Sequence, residues 1–205
     1  MRKKTEQKRQ TILDAAREIF LESGFETSSM DDIAARAAVS KATVYSYFPS
    51  KDALFMEVLI EAGTTHGEAA FGELFASEDL AEGLRRFGER QLTFISTPGA
   101  LALARLAINE GERSSLGRDF YARGPGVMVD RLAQYLEKAI AKSQLREGNA
   151  RQMAEHLNAL YEAGIVLPRL FGLDIVLDDE QQRAHVARAV DIFLGYYALS
   201  SVRGC

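Results

Sequence analysis

Cysteine occurs once in the 205 residues, as Cys205 at the last position, so no disulfide can close within the chain and no cysteine-based zinc site can form. Proline is confined to positions 49, 98, 125 and 168, each suited to a helix boundary or kink. Sustained period-two alternation between hairpin turns is missing, and strands are therefore not expected. No apolar run approaches the roughly 20 residues of a membrane-spanning helix, and the charged N-terminal stretch lacks the apolar core of a signal peptide. Both absences, with the lack of paired cysteines, lead to the expectation of a cytoplasmic protein with no membrane partner. A Gly-rich phosphate loop and a Gly-x-Ser-x-Gly elbow are also lacking. His66, His156 and His185 are scattered with no metal-ligand spacing, and the carboxylates mostly have Lys or Arg nearby. These gaps leave an enzyme without machinery, so neither catalytic residues nor a metal or other cofactor are expected.

What is present has an ordinary globular composition, 47% hydrophobic and 26% charged, with a net charge of -4. The charge is unevenly spread. Residues 1–51 hold 9 Lys and Arg against 7 Asp and Glu, and the remainder holds 16 against 22. Arg2, Lys3, Lys4, Lys8 and Arg9 face only Glu6 in the first ten residues. Such an arm suits a phosphate backbone or minor groove, and equally a solvated terminus.

Apolar residues recur at helical spacing almost throughout. The first helix is expected from about Thr5 to Ser23, with Ile12, Ala15, Ala16, Ile19 and Phe20 on its buried face and Gly24 as its stop. Ser29 caps a second helix, with Asp32 completing an approximate capping box. Ala38 and Val39 make a turn, and Ser40 caps a short third helix over about Lys41 to Tyr47. Pro49 and Ser50 stop that helix and start a fourth, which ends or bends at Gly63 to Gly67. Longer amphipathic helices follow near 79–96, 99–115, 117–143, 149–172 and 180–201, the third of them broken at Gly124-Pro125-Gly126.

The second and third helices carry the functional signal. A short helix capped at Ser40 presents Lys41, Ala42 and Thr43 at its leading end, where side chains reach base edges or phosphates in a major groove. Ala42 is small enough for close approach or for contact with a thymine methyl. Val44 and Phe48 supply the inward anchors, leaving Tyr45 and Tyr47 outward for phosphate contacts, with Lys51 as a cation beside them.

This segment, from about Glu6 to His66, resembles the N-terminal DNA-binding domain of TetR-family transcriptional regulators. The resemblance rests on Ile12-Leu13-Asp14-Ala15-Ala16, Phe20, Gly24-Phe25, Thr27-Ser28, Ile33-Ala34, Ala38-Val39-Ser40, Thr43-Val44-Tyr45, Tyr47-Phe48 and Ser50-Lys51. It implies that Thr43 and Tyr45 contact an operator, with Ser40, Lys41, Ala42 and Tyr47 nearby, Lys51 on phosphate and Thr27 as a further phosphate candidate. The family usually has glycine where Ala38 stands and often where Ala42 stands. Ala38 would be strained by a positive φ, and Ala42 would alter base preference.

Residues Leu103 to Gly172 resemble the C-terminal domain of the AefR-like branch, through Arg105 to Glu110, Asp119 to Tyr121 and Arg131 to Leu136. The family implies an all-α fold, with a three-helix helix-turn-helix domain at 6–66 and a helical ligand-binding and dimerisation domain at 67–205. Phe87, Phe94, Leu103, Leu106, Tyr121, Met128, Leu132 and Tyr161 are candidates to wall an effector pocket, and Arg105, Asn109 and Glu110 to orient the ligand. Leu157, Leu160, Tyr161 and Ile165 repeat at helical spacing, as do Ala189, Ile192, Phe193, Tyr196 and Tyr197. Of these, Leu157, Leu160, Ile165, Ile192, Phe193, Tyr196 and Tyr197 are the candidates for a homodimer interface. The function expected is that of a repressor binding a palindromic operator in double-stranded DNA and released by a small-molecule effector. An activator of the same fold and a helical scaffold without DNA binding are the alternatives.

Overall fold

The computed structural model describes residues 2–111 and 115–199; Cys205 and the side chains of Arg2, Lys3, Lys4 and Glu110 lie outside the described residues. Among the described residues the chain forms α1 (Arg2–Ser23), α2 (Met30–Arg36), α3 (Lys41–Tyr47), α4 (Lys51–Ala76), α5 (Leu80–Ile95), α6 (Pro98–Glu110), α7 (Leu116–Arg123), α8 (Pro125–Ala141), α9 (Ala150–Glu162), α10 (Val166–Leu170) and α11 (Asp179–Tyr197). The extended backbone among the described residues is a single antiparallel bridge between Leu145 and Ala198.

Two compact units divide the chain. The first comprises residues 1–63 and 98–120, the second 64–97 and 121–205. By contacts, α6 belongs to the first unit. The cause lies in packing. Leu103 is buried in the same apolar cluster as Ile12, Val44 and Leu54, with Ala102, Leu106 and Phe120 against it.

Local chemistry explains the first unit's helices. Ile12, Ala15, Ala16, Ile19 and Phe20 form the buried stripe of α1, which ends where Gly24 takes φ +81° and returns its N–H to the Phe20 carbonyl. Ser29 and Ser40 accept from the backbone N–H three residues on, at 3.2 and 3.1 Å, and cap α2 and α3. Between those helices Ala38 adopts φ +52°, a left-handed conformation that costs a residue with a Cβ about 1–2 kcal/mol. Arg9 and Glu57, Gln10 and Glu61, and Arg17 and Glu61 tie α1 to α4 through side-chain hydrogen bonds of 2.5 to 2.9 Å.

The second unit is built on Phe71, Leu74, Leu84, Phe87, Leu132, Leu136, Leu157, Tyr161, Val186 and Phe193. Here the helices depart from expectation in three places. The fourth helix runs on without a break through Gly63 and Gly67 to Ala76. Gly67, Ala70, Phe71 and Leu74 recur on one buried face, so packing outweighs the roughly 1 kcal/mol that each glycine costs a helix. The helix expected over 149–172 is cut in two, because Gly164 takes φ +73° after an extended Ala163. The last helix ends at Tyr197, whose carbonyl accepts from Arg146 N–H as the chain enters the bridge to Leu145.

Two polar groups sit uneasily in this apolar unit. Gln91 is only 6% exposed, gives its amide N–H to Asn158 Oδ1 at 3.1 Å, and has no donor for its buried Oε1. An orphaned acceptor of this kind costs roughly 1–3 kcal/mol. Glu162, the last residue of α9, has its carboxyl pushed above the usual carboxylate range by burial, and the negative end of the helix dipole acts in the same sense. A raised folded-state value means that the native protein holds this proton more tightly than the unfolded chain does. Stability is therefore gained as pH falls through that value toward the ordinary carboxylate range, and lost as pH rises. Glu162→Gln is expected to raise the melting temperature at neutral pH and to flatten its fall between mildly acidic and neutral pH. Parallel melting curves for variant and wild type across that range would contradict this account.

Candidate nucleic-acid interface

The expected recognition helix lies over Lys41–Tyr47, seated by Val44 and Phe48, which are both buried in the first unit's core. A helix spends one face in such anchoring and presents the rest. Lys41, Ala42, Tyr45 and Ser46 are exposed, with Thr43 half-buried between them. Tyr45 keeps 44% of its surface free. Tyr47 differs from expectation: it is half-buried and packs on the core beside Phe48, their ring centroids 6.4 Å apart. The two tyrosines are two positions apart, about 200° of rotation on a helix, and that turns the second ring toward the core edge.

Hydrogen bonds within the motif fix several donors in advance. Thr43 Oγ1 and Ser40 Oγ lie 2.8 Å apart, so the two hydroxyls share a hydrogen bond at the leading end of α3. The Lys41 ammonium donates to Asp31 Oδ2 at 2.8 Å, and this carboxylate raises the lysine above the usual ammonium range. Lys41 is thus fully charged at neutral pH and held toward α2. Thr27 Oγ1 donates to the Ser23 carbonyl, capping the end of α1, so only its oxygen lone pairs remain for another donor.

Lys51 requires a correction. Instead of projecting as a phosphate contact, its ammonium donates to the carbonyls of Phe25 at 2.7 Å and Ser28 at 3.1 Å and lies 4.3 Å from the Phe25 ring centroid. Three N–H donors on a lysine match a nest of carbonyls in a loop that has no helix or sheet to satisfy them. Lys51→Met keeps the stem and removes the donors. It is expected to destabilise the first unit by about 2 kcal/mol, since charged hydrogen bonds contribute roughly 1.5–3 kcal/mol. The salt dependence of DNA binding by the folded variant should remain that of wild type. A slope reduced by about one would restore Lys51 to the phosphate backbone.

Arg9, part of the expected basic arm, is likewise committed. It pairs with Glu57 at 2.6 Å, and its guanidinium lies 5.4 Å from the Phe48 ring centroid. The arm itself is helical, because α1 already begins at Arg2.

The expected effector residues are divided between the two units. Phe87, Leu132 and Tyr161 fill the core of the second unit, and the Tyr161 hydroxyl donates to the Leu84 carbonyl at 2.8 Å. Met128 packs at the edge of that core, Phe94 stacks on His66 with centroids 5.0 Å apart, and Tyr121 is exposed. Leu103 and Leu106 belong to the first unit's core, and Arg105 and Asn109 are exposed on the same helix. The second unit does carry an open cleft of about 450 Å³, but its walls are charged, with Glu73, Arg86, Glu89, Arg90 and Arg183 among them. Among the described residues, no group of three or more His, Cys, Asp or Glu side chains is placed to hold a metal ion. No single described helix is long and apolar enough to cross a membrane.

The expected dimer residues divide by exposure. Leu157, Ile165 and Phe193 are buried within the subunit, because they lie on the core-facing stripes of their helices. Leu160 and Tyr197 are half-buried against that core, whereas Ile192 and Tyr196 are exposed. Four further large apolar residues that sequence reasoning missed are exposed beside them in the chain: Leu167, Phe171, Leu173 and Val176. They lie on α10 and the following loop, where no long periodic stripe announces a face.

Comparison with known proteins agrees with this architecture. Residues 82–199 match the AefR-like transcriptional repressor C-terminal domain, and residues 12–58 match the bacterial regulatory proteins of the tetR family. A stretch of 53 residues is 45% identical to the HTH-type transcriptional regulator UidR of Escherichia coli K12, a match spanning 26% of this chain and only 27% of UidR. A crystal structure of a TetR-family regulator from Mesorhizobium loti superposes with a TM-score of 0.83 at 25% identity, covering 95% of this chain and 98% of that one. The flavonoid-responsive regulator FrrA is 33% identical, with a TM-score of 0.67 over 95% of this chain and 99% of its own. With more than half of its length inside the AefR-like model and its N-terminal helices inside the tetR model, the chain belongs to the TetR family of transcriptional regulators.

Proposed function

We propose that this regulator is a cytoplasmic repressor that binds a palindromic operator as a homodimer and is released by a small-molecule effector. The observation that carries the reading is α3: a capped helix anchored by Val44 and Phe48 with Lys41, Ala42, Thr43 and Tyr45 left to meet a duplex. Such a helix reads too few bases for useful specificity alone. Two copies on a two-fold axis would read half-sites roughly 34–36 Å apart, or a multiple of one turn. The exposed apolar residues Leu167, Phe171, Leu173, Val176, Ile192 and Tyr196 support pairing through the second unit, since large apolar surface left open is characteristic of an interaction face. The repressor description of the matching C-terminal domain supports repression over activation.

Release would follow if the effector favours a state in which α4 has swung and the two reading heads no longer match the groove spacing. Coupling of this kind is reciprocal, so operator DNA should weaken effector binding by the same factor. Selection of bound sequences from random duplex DNA, combined with light scattering of the free protein, tests the reading. A palindrome and a dimeric mass are expected. Absence of a tight duplex complex even at low salt would leave the helical scaffold without DNA binding as the function.

A further inference from the structure

A face that meets DNA has little use for negative charge, yet a carboxylate stands beside the leading end of α3. The helices α2 and α3 carry two cations between them, Arg36 and Lys41. Arg36 is engaged with α1, pairing with Glu18 at 2.9 Å and Glu22 at 2.8 Å. Lys41, the first residue of α3, pairs with Asp31 of α2 at 2.8 Å, and both side chains are exposed. The cap of α2 does not require Asp31. Ser29 Oγ accepts from the Asp32 backbone N–H at 3.2 Å and donates to Asp32 Oδ2 at 2.6 Å. An exposed ion pair adds little to stability. What Asp31 does decide is where the Lys41 ammonium rests.

We propose that Asp31 is a specificity-determining residue acting through Lys41: by holding that ammonium beside α2, it keeps it off the phosphates and reserves it for a guanine in the major groove. The inference rests on the reading of α3 as the recognition helix and deepens it. Lysine carries a point charge on a flexible stem. Left free at a helix start, such a charge goes to the nearest phosphate, which strengthens binding to every sequence and distinguishes none. Tethered to Asp31, Lys41 has one N–H engaged and two left. Guanine presents two acceptors side by side in the major groove, O6 and N7, and the two remaining donors match them. Asp31 also acts against the wrong duplex directly. Its charge repels phosphates, and a site without the guanine supplies nothing to offset that repulsion. General affinity for DNA is thereby exchanged for preference at one base pair.

The test uses the full chain and duplexes selected from random DNA by wild type, Asp31→Asn, Asp31→Glu and Lys41→Met. Wild type should select a palindrome with a guanine in each half-site whose replacement weakens binding about 10-fold. In Asp31→Asn that penalty should fall below about 3-fold, while affinity for a scrambled duplex rises about 3-fold or more and its salt slope steepens by about one per reading head. Lys41→Met should lose the same preference without gaining affinity for scrambled DNA. Adding Asp31→Asn to Lys41→Met should change the guanine preference no further, because the carboxylate acts through the lysine. Asp31→Glu keeps the charge and should restore the wild-type preference. A carboxylate serving only the dipole of α2 would shift the melting temperature of Asp31→Asn and leave base preference alone, and that outcome overturns the inference. So does a wild-type salt slope in Asp31→Asn, or a guanine preference that Lys41→Met leaves intact. A palindrome selected by wild type and unchanged in Asp31→Asn sinks this inference alone, whereas selection of no sequence at all sinks the operator reading with it.

Discussion

Replacing Thr43 and Tyr45 together by alanine is expected to weaken operator binding on the order of 100-fold, from two contacts of roughly 1–2 kcal/mol each. Neither side chain carries the cap of α3, and Thr43 gives up only its exposed hydroxyl bond to Ser40. Tyr45 is exposed, and the α3 cap runs from the Thr43 backbone N–H to Ser40 Oγ, which alanine preserves. Alanine is also the better helix former at both positions. Melting temperature and far-ultraviolet circular dichroism should therefore match wild type while affinity falls. Both side chains are neutral, so the slope of log affinity against log salt should stay unchanged, because no counterions are released on their account. Titration of the selected operator by fluorescence anisotropy at two salt concentrations checks both statements. A double variant within 3-fold of wild type would move the interface away from the leading half of α3.

The largest effect on stability is expected at a glycine. Gly88 sits in α5 where an added Cβ would lie 2.4 Å from Tyr161 Cε1 and 2.8 Å from Val186 Cγ1. Helix propensity favours Gly88→Ala by roughly 1 kcal/mol, and packing opposes it. Overpacking of a core costs typically 1–3 kcal/mol, and Tyr161 cannot withdraw without giving up its hydroxyl bond to the Leu84 carbonyl. A net loss of about 2 kcal/mol follows, which for a chain of this size lowers the melting temperature by roughly 4–8 °C. Tyr161→Leu in the same background should recover part of the loss, giving a favourable coupling in a double-mutant cycle. A Gly88→Ala variant that melts at or above the wild-type temperature would show that α5, α9 and α11 pack more loosely than the described contact.

The helix-turn-helix was legible in the sequence because its signals are local. Ser29, Ser40 and Ser50 each accept from the backbone N–H three residues ahead at a helix start, Gly24 ends α1 and Ala38 turns the chain, and every one of these acts within a few residues of itself. The same helical spacing identified the buried stripe of α1. Misplaced features depended on distant partners. The spacing of Leu103 says that it is buried, but not that it joins Ile12 and Val44 instead of Leu132. Lys51 is a cation at a helix start, and only the fold brings the Phe25 and Ser28 carbonyls beneath it. Gly63 and Gly67 resemble a break until Ala70, Phe71 and Leu74 are seen buried on one continuous helix. Gln91 looked unremarkable in sequence, since nothing local reveals that one amide oxygen has no donor.

The grip of Lys51 on the α1–α2 loop has a mechanical consequence. Pro49 and Ser50 look like a hinge between α3 and α4, yet the first residue of α4 holds the loop that leads into α2, and Glu57 and Glu61 hold α1. A joint braced on both sides has no play. Rotation of the first turns of α4 is passed to α3 in full, as in a gear train without backlash, and the reading head need not deform to leave the groove. The same stiffness makes α1 to α3 and the first turns of α4 a single body, so α3 meets the groove as that body presents it and not by adjusting its own tilt.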